Sequence, residues 1–360
     1  MVPLDPLYDL TDAELTQRIA LAKQQLGPSC VILGHHYQRE EVYRFADLTG
    51  DSLKLARLAS QRPEARYIVF CGVHFMAEVA DILSAPHQIT LLPDLAAGCS
   101  MADMADLIAV EQAWQSLGQW LDADHLITPI TYVNSSADLK AFCGSHQGTV
   151  CTSSNAGSIL RWALSQRPKV LFFPDQHLGR NSAASLGIPL DQMALWDPAL
   201  PFGGLTPEAV ERARIILWNG YCSVHQMFQP QHVDQLRQQM ADIQVIVHPE
   251  CSYEVCQKAD YLGSTEEIQR VVRAAPAGSC WAIGTELNLV NRLKNEMPDK
   301  SIHFLCPTVC MCATMFRIDM QHLCWTLENL LQGEAVNIIQ VPQREAALAR
   351  VALERMLQNS

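Results

Sequence analysis

Short apolar segments alternate with helical segments along almost the whole chain, and polar residues stand where the apolar segments end. The apolar segments have the length of strands buried on both faces, and the segments between them have the length of crossover helices. This alternation predicts parallel sheets with helices on both faces. Ligands bind such sheets at the carboxyl ends of the strands, so the polar residues there are the first candidates for a functional site.

The alternation recurs three times in a similar form. Each third opens with a strand that ends in two polar residues: His35 and Tyr37, Tyr132 and Asn134, and His248 and Glu250. Each has a further strand that ends in small residues before a helix: Cys71-Gly72, Ser153-Ser154, and Ser264-Thr265. Each third closes near one cysteine: Cys99, Cys222, and Cys306. The rhythm indicates an α/β fold built from three repeats, although identity between the thirds is low and any α/β chain shows some such rhythm.

The predicted domain boundaries follow these repeats, at residues 28–105, 106–205 and 206–314. A helix at 11–26, opened by a capping box between Thr11 and Glu14, precedes the first repeat, and helices within 315–357 are expected to pack on that repeat. Residues 40–59 have the pattern of one helix, and a second capping box is predicted between Ser264 and Glu267.

Thirteen cysteines and a net charge of −12 narrow the class of protein. The acidic N-terminus has no apolar segment of a secretory signal, and charged residues interrupt the longest apolar stretch, 67–83. We therefore expect a cytoplasmic protein whose cysteines are not a disulfide framework. The acidic charge predicts that neither nucleic acid nor a membrane is a partner, while local sites for small anions stay open.

Three cysteines, one per repeat, could meet on a shared axis. A structural zinc ion prefers four closed ligands, whereas three thiolates suit a [4Fe–4S] cluster with one iron open to substrate. An open iron can act as a Lewis acid on a substrate oxygen. The competing interpretation of any single cysteine is a small buried apolar residue.

The polar residues at the strand ends add groups that handle protons and anions. His35, His225 and His248 stand beside strand ends or beside Cys222, and Glu250 adds a carboxylate. Helix starts at Ser52, Ser153, Ser264 and Thr265 could bind anions, although capping of the helix explains each of them equally well.

Eleven stretches, in order from about residue 31 to 315, resemble the quinolinate synthase family. They are GHHYQREEVYRFADLTGDSLKLAR, CGVHFMAEVADILS, LLPDLAAGCSMAD, TYVNSSADLKA, VCTSSNA, LFFPDQHLGRN, WNGYCSVHQMF, VHPECSYEV, ADYLGSTEEI, IGTELNLVNRL and LCPTVC. The resemblance implies three αβα layers around a pseudo-threefold axis, with a [4Fe–4S] cluster and the active site at the centre. It implies a transferase of NAD biosynthesis that condenses iminoaspartate with dihydroxyacetone phosphate to give quinolinate, phosphate and water. A transient contact with an aspartate-oxidising enzyme is a further prediction.

The resemblance also implies residue roles. The cluster ligands would be Cys99 in GCSMAD, Cys222 in GYCSVH and Cys306 in LCPTVC. Glu250 and Tyr132 would transfer protons, and His35, Tyr37, His225 and His248 would orient substrate oxygens or relay protons. The substrate-binding set would comprise His35, Ser52, Tyr132, Asn134, Ser153, His248, Glu250, Ser264 and Thr265.

The third cysteine stretch departs from the family pattern, in which no further cysteine usually follows the Cys-Pro pair. Here Val309, Cys310 and Cys312 occupy the stretch after Cys306-Pro307. Cys310 therefore competes with Cys306 as the third ligand. Two other functions stay open: a [4Fe–4S] hydro-lyase that acts on another small carboxylic acid, and a metal-sensing module without catalytic activity.

Overall fold

The computed structural model of the chain describes residues 2–308 and 311–360. The strands are β1 Cys30–His35, β2 Leu48–Gly50, β3 Tyr67–Cys71, β4 Ile89–Leu91, β5 Ile127–Tyr132, β6 Thr149–Cys151, β7 Lys169–Phe173, β8 Met193–Trp196, β9 Ile215–Trp218, β10 Gln244–Val247, β11 Tyr261–Leu262, β12 Cys280–Gly284, β13 Ser301–Phe304 and β14 Ile338–Ile339. The helices are α1 Asp12–Leu26, α2 Glu40–Tyr43, α3 Ser52–Ser60, α4 His74–Leu83, α5 Leu107–Gly118, α6 Ala123–Leu126, α7 Ala137–Ser145, α8 Ala156–Gln166, α9 Gln176–Ser185, α10 Pro207–Arg212, α11 Ser223–Gln226, α12 Pro230–Gln239, α13 Tyr253–Lys258, α14 Thr265–Ala274, α15 Leu287–Glu296, α16 Met320–Leu331 and α17 Gln343–Gln358.

The elements form two compact units. The first unit contains Met1–Cys99, Leu287–Arg292 and Met311–Pro342, and the second contains Ser100–Glu286, Leu293–Cys310 and Gln343–Ser360. One sheet, in the order β14-β4-β3-β1-β2, lies in the first unit. The second unit holds two sheets, in the orders β6-β5-β7-β9-β8 and β11-β10-β12-β13. Every strand pair is parallel except β14 with β4, so the predicted α/β class is confirmed for the described residues.

The three sheets share one strand order. Each sheet contains four parallel strands in the spatial order second-first-third-fourth along the chain: β2-β1-β3-β4, β6-β5-β7-β9 (with β8 intervening in the chain), and β11-β10-β12-β13. β8 and β14 are additions at one edge of two of the sheets. The internal repetition inferred from the strand ends is therefore present in the topology itself. The arrangement about a pseudo-threefold axis and the boundaries 28–105, 106–205 and 206–314 stay predictions, and the sheet that begins with β5 extends past residue 205 to include β9.

The prediction of one helix over 40–59 was wrong. The chain forms the short helix α2, then strand β2, and only then helix α3. β2 pairs with the end of β1, in the register Gly34 with Thr49 and His35 with Gly50. A β-carbon on Gly34 would lie 2.7 Å from the β-carbon of Ala46, so the chain that leads into β2 can approach β1 only at a glycine.

The capping box of α1 is present as predicted, and α1 ends at Gly27, whose φ is +52°. The predicted second box does not form, because the Glu267 carboxylate binds Arg270 (Nε–Oε2 2.8 Å), while Ser264 alone caps α14.

The helices near the C-terminus do not share one partner. α16 packs on α1, where Nε and one terminal nitrogen of the Arg18 guanidinium donate to the two carboxylate oxygens of Glu328. α17 lies in the second unit, where the Thr149 hydroxyl donates to the Ala352 carbonyl at 3.2 Å. The prediction that all helices of 315–357 pack on the first repeat therefore does not hold for α17. No helix among the described residues is long and apolar enough to cross a membrane.

Candidate functional site

The predicted site residues follow corresponding strands in the three sheets. The polar pairs lie at the carboxyl end of the first strand of each set of four: His35 and Tyr37 at β1, Tyr132 and Asn134 at β5, and His248 and Glu250 at β10. The predicted ligands follow the fourth strand: Cys99 after β4, Cys222 after β9, and Cys306 after β13. Ser52, Ser153 and Ser264 each come two residues after the second strand, so Ser52, and not Cys71-Gly72, is the counterpart in the first sheet. The common position explains why these residue types recur in the sequence.

In the first unit, the loop that follows β1 is held in one conformation. The Nδ1 atom of His35 accepts the Tyr37 N–H at 3.1 Å, and the two rings meet edge to face at 5.0 Å. Arg292 of α15 donates to the His36 and Gln38 carbonyls at 2.9 and 2.7 Å, and Asn288 donates to the Tyr37 carbonyl at 3.2 Å. Three consecutive carbonyls of this loop are therefore bound by one face of α15. Ser52 is buried at the start of α3 in this unit, and Cys99 is half-buried in the loop after β4.

In the second unit, two histidines enclose a buried carboxylate. The Nδ1 atom of His225 lies 2.9 Å from Glu250 Oε2, and the rings of His225 and His248 stack with centroids 4.7 Å apart. The Tyr132 hydroxyl also donates to Glu250. Each of these four side chains is at least 95% buried. The strand ends β5 and β10 and helix α11 thus bring together four residues that the sequence had placed in one site.

The contacts of His248 define which of its two ring nitrogens carries the proton. His248 Nδ1 accepts the Glu250 N–H at 3.3 Å, so the neutral ring carries its proton on Nε2. This is the same turn that His35 and Tyr37 form in the first sheet. Burial lowers the pKa of His248 to about 3, against the opposing attraction of Glu250, and keeps the ring neutral. Its Nε2–H is therefore a hydrogen-bond donor at neutral pH.

The charge of this cluster lies on Glu250. Burial alone would raise the pKa of Glu250, but His248, His225 and the Tyr132 hydroxyl together hold that pKa below its usual range. A second carboxyl, Asp175, lies near it at the end of β7. Burial and the negative Glu250 raise the pKa of Asp175 well above its ordinary value, against three backbone N–H groups that lower it. The pKa values of the two acids are thus displaced in opposite directions, as is common at functional sites.

A cleft of about 470 Å³ lies where the second strands of the two sheets of this unit end. Ser153 and Ser154, which precede α8, line it together with Leu262, Gly263 and Ser264 and with three charged residues of α14: Glu266, Glu267 and Arg270. The Ser264 hydroxyl accepts the Glu267 N–H at 3.4 Å, so it caps its own helix, while Thr265 is buried in the first turn of α14. Asn134 is half-buried beyond the end of β5.

Known proteins resemble this chain over nearly its whole length. The profile of the family described as "Quinolinate synthetase A protein" matches residues 17–358. A curated quinolinate synthase of Rhodopirellula baltica is 54% identical over 366 aligned residues, covering 99% of this chain and 93% of that protein. Those of Nocardioides sp. and Herpetosiphon aurantiacus are each 56% identical, covering 96% and 97% of this chain and 90% and 93% of those proteins.

The chain belongs to the quinolinate synthase family. The sulfur, nitrogen and oxygen donors of Cys222, His225 and Glu250 lie within 4.8 Å of one another, a set that could hold a metal ion. Cys222 is half-buried and Cys306 is buried after β13. The rival Cys310 lies outside the described residues, and Cys312 is half-buried with its thiol 3.4 Å from the Thr314 hydroxyl.

Most other cysteines of this quinolinate synthase family member are held in the protonated form by burial. Burial raises the pKa of seven described thiols, which favours the protonated form that does not bind iron. These are Cys30, Cys71, Cys143, Cys151, Cys251, Cys256 and Cys324. None of them follows the fourth strand of a sheet. Cys222, His225 and Glu250 thus form a possible metal site, and the assignment of Cys99, Cys222 and Cys306 as ligands of an iron–sulfur cluster stays a prediction.

The sequence analysis missed Asp175, His177 and Arg292. Asp175 and His177 follow β7, the third strand of its sheet, within the quoted stretch LFFPDQHLGRN. The rule that polar residues at strand ends form the site would have selected both. Arg292 gave no local signal, because its partners lie in the loop after β1.

Proposed function

We propose that this chain is a transferase of NAD biosynthesis that condenses iminoaspartate with dihydroxyacetone phosphate to give quinolinate, phosphate and water. The observation that carries the proposal is the buried group of Tyr132, His225, His248 and Glu250 beside Cys222, in a chain of the quinolinate synthase family. Cys99, Cys222 and Cys306 are the proposed ligands of a [4Fe–4S] cluster. When bound, the cluster would supply a Lewis-acidic iron for substrate oxygens.

The protein groups divide the work of proton transfer. The ionised Glu250 accepts hydrogen bonds and fixes the orientation of the Tyr132 hydroxyl, so Tyr132 is placed to exchange a proton with substrate. The Nε2–H of His248 would donate to a substrate oxygen, since its Nδ1 is occupied by the Glu250 N–H. His35 and Tyr37, held in the loop after β1, are proposed to orient the same substrate.

The negative groups of the substrates need donors. Ser153 and Ser154, which precede α8, and Ser264, which precedes α14, line the cleft, and the backbone N–H groups at helix starts attract phosphate and carboxylate. Because the Ser264 hydroxyl caps its own helix, we assign the anion contact to the N–H groups around Ser153 and Thr265. Asn134 and Ser52 complete the proposed substrate set.

The ligand assignment is tested with three single variants, Cys99→Ser, Cys222→Ser and Cys306→Ser, expressed without oxygen. Cys30→Ser is the matched control, because Cys30 is also half-buried but its pKa is raised to about 12. We expect about four irons per chain with equal sulfide in the parent and the control, and a large loss in each of the three variants. Unchanged iron in all three variants would refute the assignment. Loss in Cys310→Ser with retention in Cys306→Ser would move the third ligand to Cys310.

The reaction is tested by product analysis of the anaerobic protein with iminoaspartate and dihydroxyacetone phosphate. Formation of a pyridine dicarboxylate supports the proposal. Dehydration of another small carboxylic acid without that product would identify the hydro-lyase instead. An intact cluster without any turnover would favour the metal-sensing module, and about one metal ion per chain without sulfide would indicate a mononuclear site at Cys222, His225 and Glu250.

A further inference from the structure

Asp175 connects two strand ends of the same sheet. It is completely buried two residues after β7, where its Oδ1 atom accepts the Leu178 N–H at 2.6 Å and caps α9. The Cys222 N–H, in the loop after β9, also lies close enough to this carboxyl to lower its pKa. The backbone of Asp175 forms a bridge with Gly220, and the next N–H, of Gln176, donates to the Gly220 carbonyl at 2.9 Å.

The loop between β9 and α11 is therefore bound to the start of α9 by backbone contacts. Gly220 lies so close to the preceding segment that a β-carbon on it would lie 2.3 Å from the Pro174 carbonyl oxygen. Only a residue without a side chain fits there. The N–H of Cys222, two residues later, lies beside the Asp175 carboxyl.

Capping of α9 does not by itself require this buried acid. Asp106 caps α5 with the same contact, Oδ1 to the Ala109 N–H at 2.8 Å, and it is exposed to solvent. Burying a carboxyl costs free energy unless its oxygens are satisfied, and Asp175 Oδ2 has no hydrogen-bond partner of good geometry among the described residues. Asp175 thus carries a burial cost that an ordinary cap avoids, and its contact with the Cys222 loop is what distinguishes it.

We propose that Asp175 is a positioning residue for Cys222: its carboxyl fixes the loop 220–222 and so sets the thiolate beside His225 and Glu250. The inference rests on the proposed function in one respect, namely that Cys222 is an iron ligand. Loss of groups that orient metal ligands commonly weakens metal binding by about 10- to 100-fold. Asp175→Ala is expected to show a loss of this size, and Asp175→Asn a smaller one, because an amide oxygen still accepts the N–H groups.

The test compares Asp175→Ala and Asp175→Asn with Asp106→Ala, which removes an exposed helix cap of the same kind. Anaerobically reconstituted proteins are mixed with a ferrous chelator, and the rate of iron release is followed together with the thermal midpoint of each metal-free protein. We expect iron release at least ~10-fold faster in Asp175→Ala than in Asp106→Ala. A lower thermal midpoint with the parent's rate of iron release in both Asp175 variants would show a purely structural cap and overturn the proposal.

A second readout needs no metal. The metal-free proteins are treated with iodoacetamide, and alkylation of Cys222 and Cys99 is followed by peptide mass spectrometry. We expect several-fold faster alkylation of Cys222 in both Asp175 variants, with Cys99 and the Asp106→Ala protein unchanged. If the parent binds no iron but Cys222 alkylation changes as expected, the proposed function fails and the positioning role stands. Unchanged alkylation of Cys222 overturns the positioning role, whatever the iron content.

Discussion

Replacement of Arg292 by Ala is expected to loosen the loop that carries His35 and Tyr37. The Arg292 side chain is buried and donates to the His36 and Gln38 carbonyls, while its Nε contacts Glu40 at 2.9 Å. His36 is 4% exposed and Gln38 is fully buried, so water does not replace the lost donors without opening the loop.

The magnitude follows from these contacts. Each buried carbonyl left without a donor costs about 1–3 kcal/mol. Glu40 is 63% exposed, so its ion pair with Arg292 adds less than about 1 kcal/mol. We therefore expect the free energy of local opening to fall by about 3 kcal/mol, which corresponds to roughly 100-fold faster amide exchange in the loop.

The assay is hydrogen–deuterium exchange of the peptides that contain residues 36–43. The amides of His36 and Gln38 report directly, because they donate to the Gly50 and His35 carbonyls. Arg292→Lys should give an intermediate rate, since one ammonium cannot reproduce the planar fork that reaches both loop carbonyls.

Arg273→Ala is the matched control for this experiment. Arg273, on α14, pairs with Glu296, which lies on α15 like Arg292. Both side chains are about half exposed, so no change in loop exchange is expected. Equal exchange in Arg292→Ala and Arg273→Ala would refute the reasoning. A uniform increase over the whole chain would also contradict it, because the predicted effect is local.

Three further outcomes are expected. Gly144→Ala should destabilise the protein by several kcal/mol in urea denaturation, because a β-carbon there lies 2.0 Å from the Leu348 carbonyl oxygen, whereas Gly118→Ala, with nothing within 4 Å, should stabilise it by about 0.5–1 kcal/mol. Burial, then Arg180, lowers the pKa of His177 to about 4 from 6.5, so the folded state binds fewer protons than the unfolded chain between these values. Stability should therefore fall as pH drops through that window by up to ~1.4 kcal/mol per pH unit, and His177→Gln should make this fall shallower in urea denaturation of the metal-free protein at pH 7 and pH 5. Glu250→Gln should lower the rate of quinolinate formation by about 10²- to 10⁴-fold while leaving the circular dichroism spectrum unchanged.

The alternation of apolar and helical segments was sufficient to predict the class of fold and most strands. It failed at β2, because this strand has only three residues and the apolar spacing of the flanking helical segments continues through it. Pairing with β1, and not the local pattern, makes Leu48–Gly50 a strand. The same error misaligned the repeats, because it hid the strand that precedes Ser52.

Some residues of the candidate site could likewise be predicted from the sequence, and others could not. His248 and Glu250 were accessible to sequence reasoning because they stand directly after a strand. The role of Arg292 was not, because its partner Glu40 is 252 residues away along the chain and only tertiary packing unites them. Asp175 also looks like an ordinary helix cap in sequence, and its burial and its contact with the Cys222 loop become visible only in the fold.

The discontinuous composition of the first unit has a consequence for its biosynthesis. β1 to β4 leave the ribosome early, but Arg292, which binds the loop after β1, and β14, which pairs with β4, are translated much later. Until then the β4 edge exposes unpaired backbone groups, and such edges are sites of aggregation in nascent chains. Completion of this sheet therefore has to wait for the synthesis of both later segments, and a fragment that ends at residue 99 would lack them.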